Sequence, residues 1–176
     1  QTYDCCSWEI LVDDAAAIEK YNRRKNLFQE EQHPFVRPGP EDFTPFTITD
    51  PTLILRGNED QQRYQLDTVN WLWERYCRNE SCITLDEVPN QRLLAAMNIL
   101  KILAEKGCCG PFLIVVPVVN IETWEREFFA STNINLVNYT GNEAARQLVR
   151  DFEFYETGSP MGKVQLQALL TSYEVL

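Results

Sequence analysis

The residues of greatest chemical interest are Asp86–Leu93, which join a short apolar segment, Cys82–Leu85, to a longer apolar one, Leu94–Leu103. A strand–loop–helix junction of this kind is where nucleotide-binding α/β proteins hold phosphate. Such a loop needs glycines whose backbone N–H groups approach the anion, a lysine for the terminal phosphates, and a serine or threonine for Mg²⁺. The loop of this chain contains none of these residues. We therefore expect no useful ATP binding here.

Other reactive residues give no stronger pattern. Asp86 and Glu87 resemble an acidic catalytic pair, but carboxylates at a helix start are also favoured by the helix dipole. His33 is the single histidine, and it lies in a Pro-rich stretch. Because the cysteines show no C-x-x-C spacing, we expect reduced thiols and no metal site. The six cysteines are at positions 5, 6, 77, 82, 108 and 109.

Charge and composition narrow the class of protein. The net charge of −10 and pI of 4.6 are the wrong sign for a strong nucleic-acid binder, because such proteins neutralise phosphates with a basic face. The 176 residues, 44% hydrophobic, suit one soluble domain with or without an ordered extension. No run is apolar enough to span a membrane. Gln1 is not an initiator methionine, so we expect a piece of a longer protein.

Helices and strands are expected to alternate from residue 61 onward, which indicates an α/β fold with a parallel sheet covered by helices. We expect Tyr64, Val69, Leu72 and Trp73 on or near a buried helix face, and Trp124 and Phe128 in the core. Phe112–Val116 has the continuous apolar pattern of a strand buried on both faces. The predicted elements are helix Gln61–Tyr76, strand Cys82–Leu85, helix Gln91–Lys106, strand Phe112–Val116, helix Ile121–Ala130, strand Ile134–Tyr139, helix Glu143–Phe154, a turn at Gly158–Gly162 and strand Val164–Thr171.

The first 60 residues differ from the rest. Residues 1–31 contain a predicted helix capped by Asp13 or Asp14. Residues 32–60 carry five prolines, so we predict an extended linker laid over a surface. Its aromatic side chains are expected to pin it to a neighbouring element; they are Phe35, Phe43 and Phe46.

Four segments together resemble the first ATPase lobe of the chromodomain-helicase-DNA-binding family, which are SWI/SNF-type chromatin remodellers. Tyr64–Leu72 resembles "Y-Q-L-x-G-V-N-W-L", with Thr68 in place of the glycine. Cys82–Glu87 resembles "C-I-L-A-D-E". Gly110–Pro117 with the later Trp-x-Arg-Glu-Phe resembles "G-P-F-L-V-V-A-P" and "W-x-R-E-F", and Leu170–Glu174 resembles "I-T-T-Y-E". Tyr3–Glu9 also resembles the end of a chromodomain.

The resemblance implies a partial RecA-like sheet flanked by helices over residues 61–176, preceded by a chromodomain-like segment (1–31) and a linker (32–60). The resemblance also aligns the loop with the family's phosphate-binding motif, because the family continues with "M-G-L-G-K-T" where this chain has Val88–Leu93. Arginine is not interchangeable with the phosphate-binding lysine, leucine cannot bind Mg²⁺, and proline lacks an N–H. The degenerate nucleotide-site positions are therefore Gln65, Pro89, Asn90, Gln91, Arg92 and Leu93. We expect no cofactor and no catalytic residue.

Gln65 stands where the family reads the adenine edge, and it either keeps that contact or is an ordinary helix-face residue. Three functions remain open on this resemblance. The first is a non-catalytic, nuclear scaffold that binds other chromatin or silencing proteins, or itself, as in a plant gene-silencing relative with a degenerate motor region. The second is a DNA-dependent ATPase with an unusual loop. The third is a DNA-binding lobe without hydrolysis.

Overall fold

The computed structural model describes residues 35–85, 89–108, 110–155, 164 and 166–176, with backbone only at residues 89 and 90. Within these ranges the chain forms four α-helices and three β-strands. Predictions for residues 1–31, for Asp86 and Glu87, and for the turn at Gly158–Gly162 lie outside the described residues. The helices are α1 (Glu59–Cys77), α2 (Pro89–Glu105), α3 (Ile121–Ser131) and α4 (Glu143–Glu153); the strands are β1 (Phe112–Val116), β2 (Leu136–Tyr139) and β3 (Ala168–Ser172).

Helix α1 begins at a capping box. The Asn58 side chain accepts a hydrogen bond from the Gln61 backbone N–H at 3.0 Å, and the Gln61 side chain accepts one from the Asn58 N–H at 3.0 Å. These two bonds satisfy N–H groups that the first helical turn leaves unpaired. The buried face repeats every four residues, which is the spacing of one helical stripe. It consists of Gln65, Val69, Trp73 and Cys77.

Helix α2 ends where the sequence predicts. Gly107 has φ +90°, a left-handed conformation that favours glycine, and the Cys108 N–H donates to the Leu103 carbonyl at 2.9 Å. This reversal closes the helix by a C-terminal glycine cap. The helix lies between two hydrophobic clusters, so it is buried on two sides. Its Leu93 and Met97 pack toward the sheet, whereas Ile102 and Leu103 pack toward α1.

The sheet has the order β1–β3–β2, and both strand pairs are parallel. Ile114 of β1 lies opposite Leu170 of β3, and Leu170 lies opposite Asn138 of β2. The cluster that contains Leu93 and Met97, called the first cluster below, fills the space between this sheet and helices α2 and α3. Its fully buried members include Met97, Phe128 and Leu170.

Several predictions of detail were wrong. Cys82–Leu85 is not a strand: no described strand pairs with it, and Ile83 and Leu85 are exposed. Strand β1 is not buried on both faces, because Leu113 is 59% exposed at the outer position of the sheet. Tyr64 is exposed, since it lies one residue away from the buried stripe of α1.

Two further positions refine the prediction for the second half of the chain. Strand β3 begins at Ala168 rather than Val164, and Val164 makes only an isolated antiparallel bridge to Tyr155. Phe128 is fully buried as predicted, whereas Trp124 is half-buried and packs against the edge of the first cluster. The α/β class itself is confirmed.

Candidate functional site

Pro89–Leu93, where the sequence predicts a degenerate nucleotide site, form the first turn of α2. The helix begins at Pro89, which has no N–H to offer an anion. Leu93 is buried in the cluster between α2 and the sheet, where it packs with Met97 and Ile114. The Leu93 side chain is therefore committed to the core.

Gln91 and Arg92 face different depressions of the surface. Gln91 lines a polar cleft together with Gln65, whereas Arg92 lines a separate apolar groove beside β1 that includes Leu113 and Trp124. Arg92 is exposed. Arg92 therefore lies outside the cleft that Gln65, Gln91 and Leu93 line.

The polar cleft has a volume of about 320 Å³ and lies between α1, the start of α2 and α3. That volume is at the lower end of the range for small-molecule sites. The Gln91 Oε1 atom is buried and has no hydrogen-bond partner. The residues lining the cleft are Arg56, Gly57, Gln61, Gln65, Gln91, Leu93, Leu94, Thr123, Arg126 and Glu127.

Gln65 is held by the extended segment that precedes α1. Its Oε1 atom accepts a hydrogen bond from the Arg56 backbone N–H at 2.9 Å, and its Nε2 atom donates to the Arg56 carbonyl at 2.9 Å. The residue is only 4% exposed. Both ends of the carboxamide are therefore paired with the protein's own backbone.

Two asparagines make the same kind of contact with this segment. Asn98 of α2 accepts from the Ile54 N–H at 2.6 Å and donates to the Ile54 carbonyl at 3.0 Å. Asn70 of α1 accepts from the Phe46 N–H at 2.7 Å and donates to its carbonyl at 3.2 Å. We call residues 43–57 the strap, and each of these side chains an amide clasp.

Side chains of the strap reinforce the clasps. Phe46 packs against Trp73 with ring centroids 6.2 Å apart, and Phe43 packs against the same cluster, as the sequence predicts for these two aromatics. The Arg56 guanidinium donates to Glu127 at 2.7 Å and to Ser131 at 2.9 Å on α3. The strap is thus fixed to three helices.

Sequence reasoning named Gln65 but missed Asn70, Asn98 and Arg56. Asn98 carried a usable signal, because it is a lone amide on the apolar face of α2 and buried amides need hydrogen-bond partners. Arg56 carried no such signal, since its backbone forms the contact and any residue except proline has the same groups.

Titration and metal-binding chemistry are not concentrated at this cleft. Burial raises the pKa of the Cys77 thiol, which keeps it protonated and unreactive. Burial also raises the pKa of Tyr76. Among the residues that the structure describes, no three His, Cys, Asp or Glu side chains are grouped to hold a metal ion. No described helix has the length and hydropathy needed to cross a bilayer.

A second crevice lies at the carboxyl ends of β2 and β3, near the segment that the resemblance places beside DNA. It has a volume of about 460 Å³ and includes three carboxylates, those of Glu122, Glu125 and Glu174. A hydrogen bond from Ser172 lowers the pKa of Glu174, so this carboxyl stays ionised at neutral pH. The crevice is therefore acidic.

Three parallel strands flanked by helices define this protein as an α/β lobe of the RecA-like type, present in part. The sequence profile of the SNF2-related domain family matches residues 64–176. The chain belongs to this family, and it corresponds to an ATPase lobe of the chromodomain-helicase, SNF2-type remodellers. The resemblance drawn from the four sequence segments is confirmed.

Curated relatives match almost the whole chain. Chromodomain-helicase-DNA-binding protein 7 of Gallus gallus is 29% identical over 180 residues, which are 99% of this chain and 6% of the relative. Chromodomain-helicase-DNA-binding protein 9 of Mus musculus is 30% identical over 179 residues, which are 99% of this chain and 6% of the relative. Protein 8 in Xenopus tropicalis is 29% identical over 179 residues, 99% and 8%. The chain thus spans less than a tenth of these relatives.

Proposed function

We propose that this protein is a remodeller-type lobe without nucleotide chemistry, which serves as a chromatin-associated interaction scaffold in the nucleus and acts in transcriptional gene silencing. The arrangement of Gln65 carries the proposal. In the family this side chain reads adenine, and here both ends of its carboxamide are paired with Arg56. A nucleotide would have to displace two buried hydrogen bonds before its base was read.

The former phosphate loop supports the same proposal. Pro89 removes a backbone donor, Leu93 lies in the core, and Arg92 lines a different groove from Gln65. Binding of a triphosphate requires backbone N–H donors, a cationic side chain and a hydroxyl to converge on one anion and its Mg²⁺. No lysine is among the described residues that line the cleft, and its threonine, Thr123, comes from α3.

Exposed apolar side chains support a role in binding other proteins. Leu148 and Phe152 stand four residues apart on α4 and are more than half exposed, as is Leu113 on β1. Contiguous exposed apolar surface is a common mark of protein interaction sites. Other chromatin or silencing proteins, or a second copy of the chain, are the partners we propose.

Titration with a fluorescent ATP analogue and Mg²⁺ tests the proposal. We expect no saturable binding in the micromolar range for the wild-type chain, whereas a relative with the "M-G-L-G-K-T" loop should bind under the same conditions. Micromolar, Mg²⁺-dependent binding to the wild-type chain would exclude the proposal and favour an active DNA-dependent ATPase.

A gel shift at low salt separates the scaffold from a DNA-binding lobe without hydrolysis. The carboxylates of Glu122, Glu125 and Glu174 predict weak or no binding. Tight binding that weakens steeply with salt would instead favour the DNA-binding lobe.

A further inference from the structure

The backbone of Arg56 offers Gln65 the same hydrogen-bonding pattern as adenine. The base presents an N6–H donor beside the N7 acceptor, and a glutamine carboxamide pairs with both. At Arg56 the backbone N–H is the donor and the carbonyl is the acceptor, each 2.9 Å from the Gln65 amide. One peptide residue therefore satisfies the side chain in the way that a bound base would.

The strap holds Arg56 in this position through neighbouring contacts. Ile54 and Arg56 are two residues apart, so in an extended chain their hydrogen-bonding groups point the same way. The Asn98 clasp fixes Ile54, and Glu127 with Ser131 fixes the Arg56 side chain from α3. Releasing Gln65 alone would leave the strap attached at these points.

We propose that the strap is an internal ligand of the lobe. The Arg56 backbone occupies the adenine-reading carboxamide of Gln65, so adenine binds only when the strap leaves. This inference rests on the proposed function for its assignment of Gln65, and it adds a cause: the site is closed by the chain itself as well as lacking phosphate ligands. The strap itself joins α1, α2 and α3 through these contacts.

Amide hydrogen exchange on the full chain without nucleotide tests the clasp. We expect the Ile54 and Arg56 amides to exchange roughly tenfold or more slowly than the Leu55 amide, the ratio that a net hydrogen-bond energy of about 1.4 kcal/mol gives. Gln65→Met keeps the side-chain length and removes both bonds, so Arg56 exchange should rise by roughly tenfold. Gln62→Met is the matched control, because the side chain of this neighbouring glutamine donates to the Gly57 carbonyl rather than to Arg56.

Fast exchange of Arg56 in the wild-type chain would overturn the proposal, and so would an unchanged rate in Gln65→Met. If Gln65→Met does not fold, the wild-type contrast between Arg56 and Leu55 decides. Saturation-transfer NMR with adenosine adds a second readout, because adenosine needs no phosphate loop. We expect no transfer to adenosine, and adenosine that bound while Arg56 stayed protected would contradict the strap as a competitor.

These outcomes are distinguishable from failure of the proposed function. Micromolar Mg²⁺–ATP binding with an exposed, rapidly exchanging Arg56 amide would defeat both. Loss of Arg56 protection in a chain that binds no nucleotide would defeat the internal ligand alone.

Discussion

Replacing Asn98 by leucine should destabilise the protein by about 2 kcal/mol. Asn98 is fully buried, and its side chain makes both hydrogen bonds of Ile54, at 2.6 and 3.0 Å. Asn98→Leu leaves that N–H and carbonyl without partners, at a cost of about 1–3 kcal/mol for each group. Burial of the leucine side chain returns about 2 kcal/mol. The unpaired groups therefore outweigh the apolar gain.

Urea unfolding followed by tryptophan fluorescence measures this change, since Trp73 lies in the cluster that the strap covers. Gln147→Leu on the exposed side of α4 is the control and should change the free energy of unfolding by less than about 0.5 kcal/mol. Asn70→Leu should destabilise less than Asn98→Leu, because Asn70 is only half-buried. An Asn98→Leu variant as stable as the wild type would refute the clasp as a stabilising contact.

Two further substitutions test the fold away from the strap. Gly110 has φ +83°, and an added Cβ would lie 2.4 Å from the Gln167 carbonyl oxygen. Gly110→Ala should therefore lower the free energy of unfolding by about 2 kcal/mol or more. A variant whose urea unfolding midpoint equals that of the wild type would contradict this prediction. Hydrogen bonds from Arg150 and Arg146 lower the pKa of Glu143 in the folded state. The ionised carboxylate therefore stabilises the protein fully above the pKa of Glu143 in the unfolded state. This contribution is lost as the pH falls through the lower pKa of the folded state. Glu143→Gln should be less stable than the wild type in urea at neutral pH and equal to it in strong acid; a difference that persisted in acid would show that charge is not the cause.

The sequence predicts most helices of this fold because their apolar spacing is local. The end of α2, the start of α4 and the limits of β1 agree with prediction to within one residue. Strands are harder, because a strand exists only where a neighbour accepts its hydrogen bonds. Cys82–Leu85 has a suitable apolar sequence, but none of the three described strands pairs with it.

The candidate site also has one part that the sequence predicts and one part that it does not. Loss of the phosphate-binding residues is predicted from residue types at positions that the family resemblance assigns, and it stays a prediction; the structure shows that Leu93 lies in the core. The contact between Gln65 and Arg56 does not follow from the sequence, because it depends on where the strap crosses α1 in three dimensions. Every residue except proline has the same backbone groups, so a side-chain contact with the backbone becomes visible only in the structure.

A two-dimensional amide NMR spectrum recorded during titration with Mg²⁺–ATP tests the central claim most directly. The wild-type chain should show no saturable shifts at Arg56, Gln91 or Arg92, because the carboxamide of Gln65 is paired with Arg56 and we propose that the start of α2 does not hold phosphate. Saturable, Mg²⁺-dependent shifts at these three amides would contradict the account and identify the cleft as a working nucleotide site.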